Sequence, residues 1–198
     1  MSAKARRTIL VALTLVAAAA LSGASVASAG ASKVLLKNKG TSANGVAGEK
    51  VWVYGYYEFG TEAVCEAEEE LATLGKNPSG KAKFISPGTE VTSSCETPSA
   101  PSKGKWSNKT VMIGSSGSFS WKGVVTAETA SGCSYEVKKL GGTISLPALT
   151  ESGALSGVAK LAKGVTNPAT CANSLPVNGY LAVGAVSNFE VYEASLVT

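Results

Sequence analysis

The feature that most constrains the fold is a run of aromatic and β-branched residues, KVWVYGYYEF, at Lys50–Phe59. Such residues favour a pleated surface that is at least half buried, so the run predicts a β-strand. Side chains alternate between the two faces of a strand. The odd-numbered face carries Val51, Val53 and other core-forming residues, and it predicts one side of a hydrophobic core. We expect this strand to lie at the centre of a sheet.

The even-numbered face of the same strand carries the candidate ligand-binding residues of the chain, Trp52, Tyr54 and Tyr56. Aromatic rings that also offer N–H or O–H groups suit ligands with alternating apolar and polar surfaces, such as sugars. The alternative is that this face packs beneath a helix or a second sheet, so that the strand is buried on both sides. The exposure of the three rings distinguishes these two interpretations.

The next segment follows a different period. Between Glu62 and Leu74 the apolar residues fall within about 100° of arc at the helical rotation of 100° per residue, which predicts a short amphipathic helix. Gly75 suits its C-terminal end. Residues 86–105 are rich in Pro, Ser and Gly and predict a long loop. The remaining alternating segments predict strands at Lys33–Lys39, Lys109–Ile113, Gly117–Ala127, Cys133–Leu140, Gly142–Leu146, Ala154–Ala162 and Tyr180–Tyr192.

These elements predict a mainly β fold, an antiparallel β-sandwich or barrel with one short helix at about residues 62–74. We expect residues 30–198 to form a single β-rich domain, since this length suits one domain. The alternative is two subdomains that divide within the loop at 86–105.

The N-terminal segment is typical of a secretory signal peptide. Lys4, Arg6 and Arg7 precede an apolar run at Ile9–Leu21, and Ala27-Ser28-Ala29 forms an A-x-A cleavage pattern. We therefore expect residues 1–29 to be removed and the protein to be secreted or held in the cell envelope of a bacterium. An uncleaved membrane anchor is the alternative.

Four cysteines, at Cys65, Cys95, Cys133 and Cys171, lie in the part that remains. An even, widely spaced set in an exported chain predicts two disulfide bonds, for which three connectivities are possible. We favour Cys65–Cys95 and Cys133–Cys171, because each pair shares a helix–loop or hairpin neighbourhood.

The residues that are missing exclude most hydrolytic mechanisms. Residues 30–198 contain no His, Asp, Gln or Arg, so there is no Ser–His–Asp arrangement, His-ligated zinc or Asp-rich calcium loop. Of the 18 Lys and Arg residues, three lie in the signal segment, which leaves 15 lysines against 14 glutamates and a net charge of about +1. We therefore expect no enzymatic activity, no metal or other cofactor, and no nucleic-acid partner.

A Glu-dependent glycan-active enzyme is the alternative function. Two glutamates can hydrolyse a glycosidic bond when their carboxyl groups lie about 5–5.5 Å or 6.5–9.5 Å apart. Glu58 lies among aromatic residues, and Glu128 or Glu136 are its candidate partners. Convergence of two carboxylates in a cleft would support this alternative.

The second half of the chain resembles a known group of proteins. The runs CSYEVKKLGGTISLP, SGALSGVAK, CANSLPVNGYLAV and FEVYEAS, between Cys133 and Ser195, resemble uncharacterised small exported β-rich proteins of actinobacterial type. The resemblance implies export and β structure, and it assigns no functional residues. The sequence as a whole predicts a non-enzymatic extracellular or envelope module that binds a glycan or another protein, or has a structural role.

Overall fold

The computed structural model describes residues 30–85, 91–152 and 154–198, and nearly all of its regular structure is antiparallel β-sheet. A 3₁₀ turn at Thr150–Ser152 is the one helical element in these ranges. The strands in chain order are β1 (Lys33–Asn38), β2 (Lys50–Phe59), β3 (Ala63–Leu74), β4 (Lys81–Ile85), β5 (Val91–Glu96), β6 (Pro101–Gly114), β7 (Ser118–Glu128), β8 (Ser134–Thr143), β9 (Ala148–Leu149), β10 (Ala154–Leu161), β11 (Ser174–Ala185) and β12 (Tyr192–Val197).

The larger of two sheets closes on itself. Its strands follow the order β2, β11, β10, β8, β7, β6, β4 and β3, and β2 also pairs with β3. β5 lies in line with β4, because both pair with β3 on one side and β6 on the other. The described strands therefore fill eight positions of a closed barrel. Closure removes the free edges that an open sheet would offer to other chains.

The interior of the barrel is filled by aromatic side chains. The Trp106 indole N–H donates to the Tyr57 hydroxyl at 2.9 Å, and the Trp121 indole N–H donates to Asn108 Oδ1 at 2.6 Å. The rings of Tyr57 and Trp121 lie 5.6 Å apart between centroids. An eight-stranded barrel is just wide enough for its side chains to fill it. The inside of the barrel is therefore a packed core.

The smaller sheet, in the order β1, β12, β9, contacts strands β4 and β11 of the barrel. Tyr192 of β12 stacks on Phe84 of β4 with centroids 6.3 Å apart. The backbone N–H of Leu36 in β1 donates to Asn77 Oδ1 in the connection from β3 to β4. Leu36 and Tyr192 are fully buried in the same hydrophobic cluster as the barrel interior.

The predicted β-strand at Lys50–Phe59 is confirmed with the same bounds, and its odd-numbered face is buried throughout. The helix predicted at 62–74 is wrong, since Ala63–Leu74 is strand β3. The buried residues Ala63 and Ala67 have odd numbers, whereas Ala72 and Leu74, which are also buried, have even numbers. The change follows from a shift in the register of β3 against β2. This bulge interrupts the period of two, so the apolar residues imitate a helical arc.

The long loop predicted at 86–105 is also wrong. β5 occupies Val91–Glu96, and β6 begins at Pro101 after a turn in which the Thr97 N–H donates to the Ala100 carbonyl. The strand predicted at Tyr180–Tyr192 is interrupted, because β11 ends at Ala185 and β12 begins at Tyr192. Strands from both sides of 86–105 pair within the one barrel.

Both predicted disulfides are confirmed, as Cys65–Cys95 and Cys133–Cys171. The Cys65–Cys95 bond does not join a helix to a loop, as we expected. It joins two adjacent strands, because Cys65 and Cys95 lie directly opposite each other on β3 and β5, with Cα atoms 4.0 Å apart. Cys65 is fully buried. The predicted signal peptide at 1–29 lies outside the described residues.

Candidate functional site

Trp52 lies on the outer face of β2, but only 8% of it is exposed. It stands opposite Gly184 of β11 in the register, and a Cβ atom at Gly184 would lie 2.5 Å from the indole ring. The ring therefore packs closely over this glycine. Its buried Nε1 has no hydrogen-bond partner among the described residues. The burial of Trp52 favours the alternative interpretation, in which this part of the even-numbered face is packed against the protein rather than open to a ligand.

Tyr54 and Tyr56 are half-buried and form a cluster with Tyr180 of β11. Tyr56 and Tyr180 are direct partners in the register, and their rings stack with centroids 5.2 Å apart and planes 18° apart. Tyr54 meets Tyr180 at 6.0 Å in a tilted arrangement. Each stacked ring thus covers a face of its neighbour. We call Tyr54, Tyr56, Tyr180 and the neighbouring carboxylates Glu58 and Glu66 the tyrosine cluster.

The hydroxyl groups of this cluster are bonded within it. The Tyr56 hydroxyl donates to Glu58 Oε1 at 2.9 Å, and this bond, with burial, raises the pKa of Tyr56. Burial raises the pKa of Tyr54, and hydrogen bonding to Tyr180 and Glu66 adds to that rise. Both phenols therefore remain protonated donors. Because β2, β3 and β11 meet here, the cluster links the first barrel strand in the chain to the last.

Glu58 does not lie beside either of the glutamates considered as its partners for glycoside hydrolysis. Glu58 is on β2 and Glu136 is on β8, and strands β11 and β10 lie between them. Glu128 ends β7, two positions beyond β10. At least two strands therefore separate Glu58 from each of its candidate partners.

A second surface lies on the outside of β7, β8 and β10, where lysines line an open groove of about 830 Å³. We call it the lysine groove. Glu136 is the one acidic residue among its described lining residues. The lysines are Lys122, Lys138, Lys139, Lys160 and Lys163. All five are exposed in the free chain.

The groove forms where β8 breaks its alternation. Lys138 and Lys139 are both exposed, between the buried residues Val137 and Leu140. The register of β8 shifts against both neighbours at this point, between the pairs Lys122–Lys139 and Val125–Val137 on one side and between Ser156–Gly141 and Lys160–Glu136 on the other. Bulges re-aim side chains, and this irregularity directs two consecutive lysines outward.

The charges of the groove are poorly balanced. Lys138 Nζ lies 2.8 Å from Glu136 Oε1, and no other groove lysine makes an ion pair within the described part of the chain. Lys122 and Lys139 lie directly opposite each other on adjacent strands. Like charges in that position repel and destabilise a sheet. The groove therefore concentrates positive potential that an anionic ligand would neutralise.

The sequence-based reasoning missed this surface. Its lysines are spread over 42 positions from Lys122 to Lys163, and the net charge of about +1 conceals their local excess. The adjacent pair Lys138-Lys139 inside an alternating strand was the available signal, because it predicts a bulge with two outward side chains.

No protein-family model matches the chain, and no curated protein or solved structure is significantly similar to it. Among the described residues, no helix has the length and apolar character needed to span a membrane. No group of three or more His, Cys or Glu side chains suited to a metal ion occurs in the same ranges. The resemblance to small exported β-rich proteins stays a prediction.

Proposed function

We propose that the chain is exported and acts outside the cytoplasm, free or in the cell envelope, as a non-enzymatic module that binds an anionic ligand in its lysine groove. The single observation that carries this proposal is the groove itself, where four lysines on three adjacent barrel strands and a fifth just after β10 face one glutamate. Two disulfides and the predicted signal peptide support export, since disulfides persist in oxidising compartments.

The chemistry of the groove supports binding rather than catalysis. Its lysines are exposed, whereas a lysine that serves as a base must be desolvated. Residues 30–198 offer no His, Asp or Arg as an alternative catalytic group. Tyr54 and Tyr56 are half-buried and stay candidate ligand-binding residues. Their ring contacts with Tyr180 and the Tyr56–Glu58 hydrogen bond, however, explain their positions without a ligand.

The test is a binding comparison with residues 30–198 in the oxidised form. We expect an acidic polymer to bind, and matched neutral and basic polymers to bind far more weakly. The affinity for the acidic polymer should fall as salt rises from about 0.05 M to about 0.5 M, because salt screens exposed charges. Equal binding of all three polymers, or no response to salt, would contradict the proposal.

A further inference from the structure

The spacing of the groove lysines favours a ligand with several charges over one compact anion. Lys122 and Lys139 are register partners, whereas Lys160 is the partner of Glu136, three residues along β8 from Lys139. Three residues of strand span about 10 Å, and adjacent strands lie about 4.8 Å apart. Lys163 extends the set beyond the end of β10. The positive charges thus form a track across three strands rather than a single cradle.

The floor of this track contains apolar side chains and glycines. Val158 is 57% exposed and Leu161 is half-buried, and both line the groove together with Gly141 and Gly157. A Cβ atom at Gly157 would lie 2.7 Å from the Leu140 side chain, so a larger residue there would have to displace it. Sugar rings have apolar C–H faces and polar edges, which suit a floor with exposed Val158 and a margin of lysines.

Two other classes of polyanion fit the groove less well. Single-stranded nucleic acid binds by stacking its bases on exposed aromatic rings, but the one aromatic lining residue, Trp121, is fully buried and bonds to Asn108. Phosphate recognition commonly uses bidentate arginine, and residues 30–198 contain none. A lipid surface is flat and would not follow a concave track.

We propose that the lysine groove binds a linear acidic polysaccharide, whose carboxylate or sulfate groups pair with Lys122, Lys139, Lys160 and Lys163 while sugar rings lie on Val158. This inference rests on the proposed function and narrows its ligand to one class. The two sources of negative charge, uronate and sulfate ester, share the chemistry that the lysines recognise.

The experiment measures affinities of oxidised residues 30–198 for a polyuronate, a sulfated polysaccharide, single-stranded DNA and anionic lipid vesicles. We expect at least one of the polysaccharides to bind more tightly than DNA or vesicles at equal salt. The variant Lys139→Gln/Lys160→Gln should lower that affinity about tenfold, since it removes two ion pairs. The control Lys81→Gln/Lys83→Gln removes two exposed lysines of β4 and should leave the affinity unchanged.

A second variant tests the apolar floor. Val158→Ser should weaken polysaccharide binding about threefold, because the rings of the polysaccharide lie on Val158. It should have no effect on any residual binding of DNA, which we expect to contact only the lysines. Tighter binding of DNA or vesicles, lowered by the groove variant, would overturn the polysaccharide inference but leave the proposed anion-binding function intact. If none of the four probes binds, or if the β4 control weakens binding equally, both proposals fail.

Discussion

The tyrosine cluster and the lysine groove both lie on the outside of the same barrel, yet their side chains behave in opposite ways. In the cluster, Tyr56 stacks on its register partner Tyr180 and donates to Glu58. In the groove, the register partners Lys122 and Lys139 carry the same charge. Attractive cross-strand pairs stabilise a sheet, and like-charged pairs destabilise it. We infer from this comparison that the cluster stabilises the fold, and the contrast supports the proposal that the groove binds a ligand.

The largest expected effect concerns Trp52, which lies on the same face of β2 as Tyr54 and Tyr56 but is buried. We predict that Trp52→Ala lowers the free energy of unfolding by about 3–5 kcal/mol, as truncation of a buried aromatic residue does. Denaturant unfolding of the oxidised protein measures it. Val46→Ala, at a position that is 66% exposed, is the control and should change stability by less than about 0.5 kcal/mol. If Trp52→Ala lowers the free energy of unfolding by less than about 1 kcal/mol, the ring is not packed as the structure shows and becomes a ligand-binding candidate again.

The second prediction tests whether the cluster stabilises the barrel. Tyr180→Ala removes two ring contacts, to Tyr54 and Tyr56, and should lower the free energy of unfolding by about 1–3 kcal/mol. Its affinity for acidic polymers should be unchanged. The double variant with Tyr56→Ala should lose less than the sum of the two single variants, because the pair is coupled. Strict additivity would mean that the stacking contributes nothing.

The third prediction concerns alkaline pH. The pKa of Tyr54 is raised above its ordinary value of 10.0, so the folded state favours the neutral phenol. Its contribution to stability is complete below about pH 10 and is lost as the pH rises further, because the unfolded chain then releases the proton more readily. The loss is at most about 1.4 kcal/mol per pH unit for one proton, and partial exposure reduces it. Unfolding curves of the native protein and Tyr54→Phe should therefore diverge above pH 10 and run parallel below it. Parallel curves throughout would contradict the prediction.

The smallest effect has the opposite sign. Lys122→Gln removes the repulsion with Lys139 and should raise the free energy of unfolding by about 0.2–1 kcal/mol, while it weakens binding of an acidic polymer. Lys81→Gln on β4 is the matched control and should change neither quantity. A destabilised Lys122→Gln variant would show that Lys122 has a structural role and would remove the contrast between the two surfaces.

Local patterns were sufficient where neighbours in the chain determine the outcome. The strand at Lys50–Phe59 and its buried odd face follow from an uninterrupted period of two. The pairing Cys133–Cys171 was likewise predictable. The pattern failed at Ala63–Leu74, where a bulge against β2 shifts the buried positions from Ala67 to Ala72. A register shift depends on the partner strand, which the local sequence does not contain.

By itself the sequence determined the β class and the strand at Lys50–Phe59, and it favoured the two disulfide pairs among three connectivities, since these depend on residue type, alternation and spacing. Only the tertiary structure decided that the sheet closes, that Trp52 is buried while Tyr54 and Tyr56 are half-exposed, and that five lysines share one groove. Each of these outcomes depends on which strands become neighbours and in which register. Lys122 and Lys160 are 38 residues apart in the chain, and the pairing of β8 with β7 and β10 brings their positions to one surface.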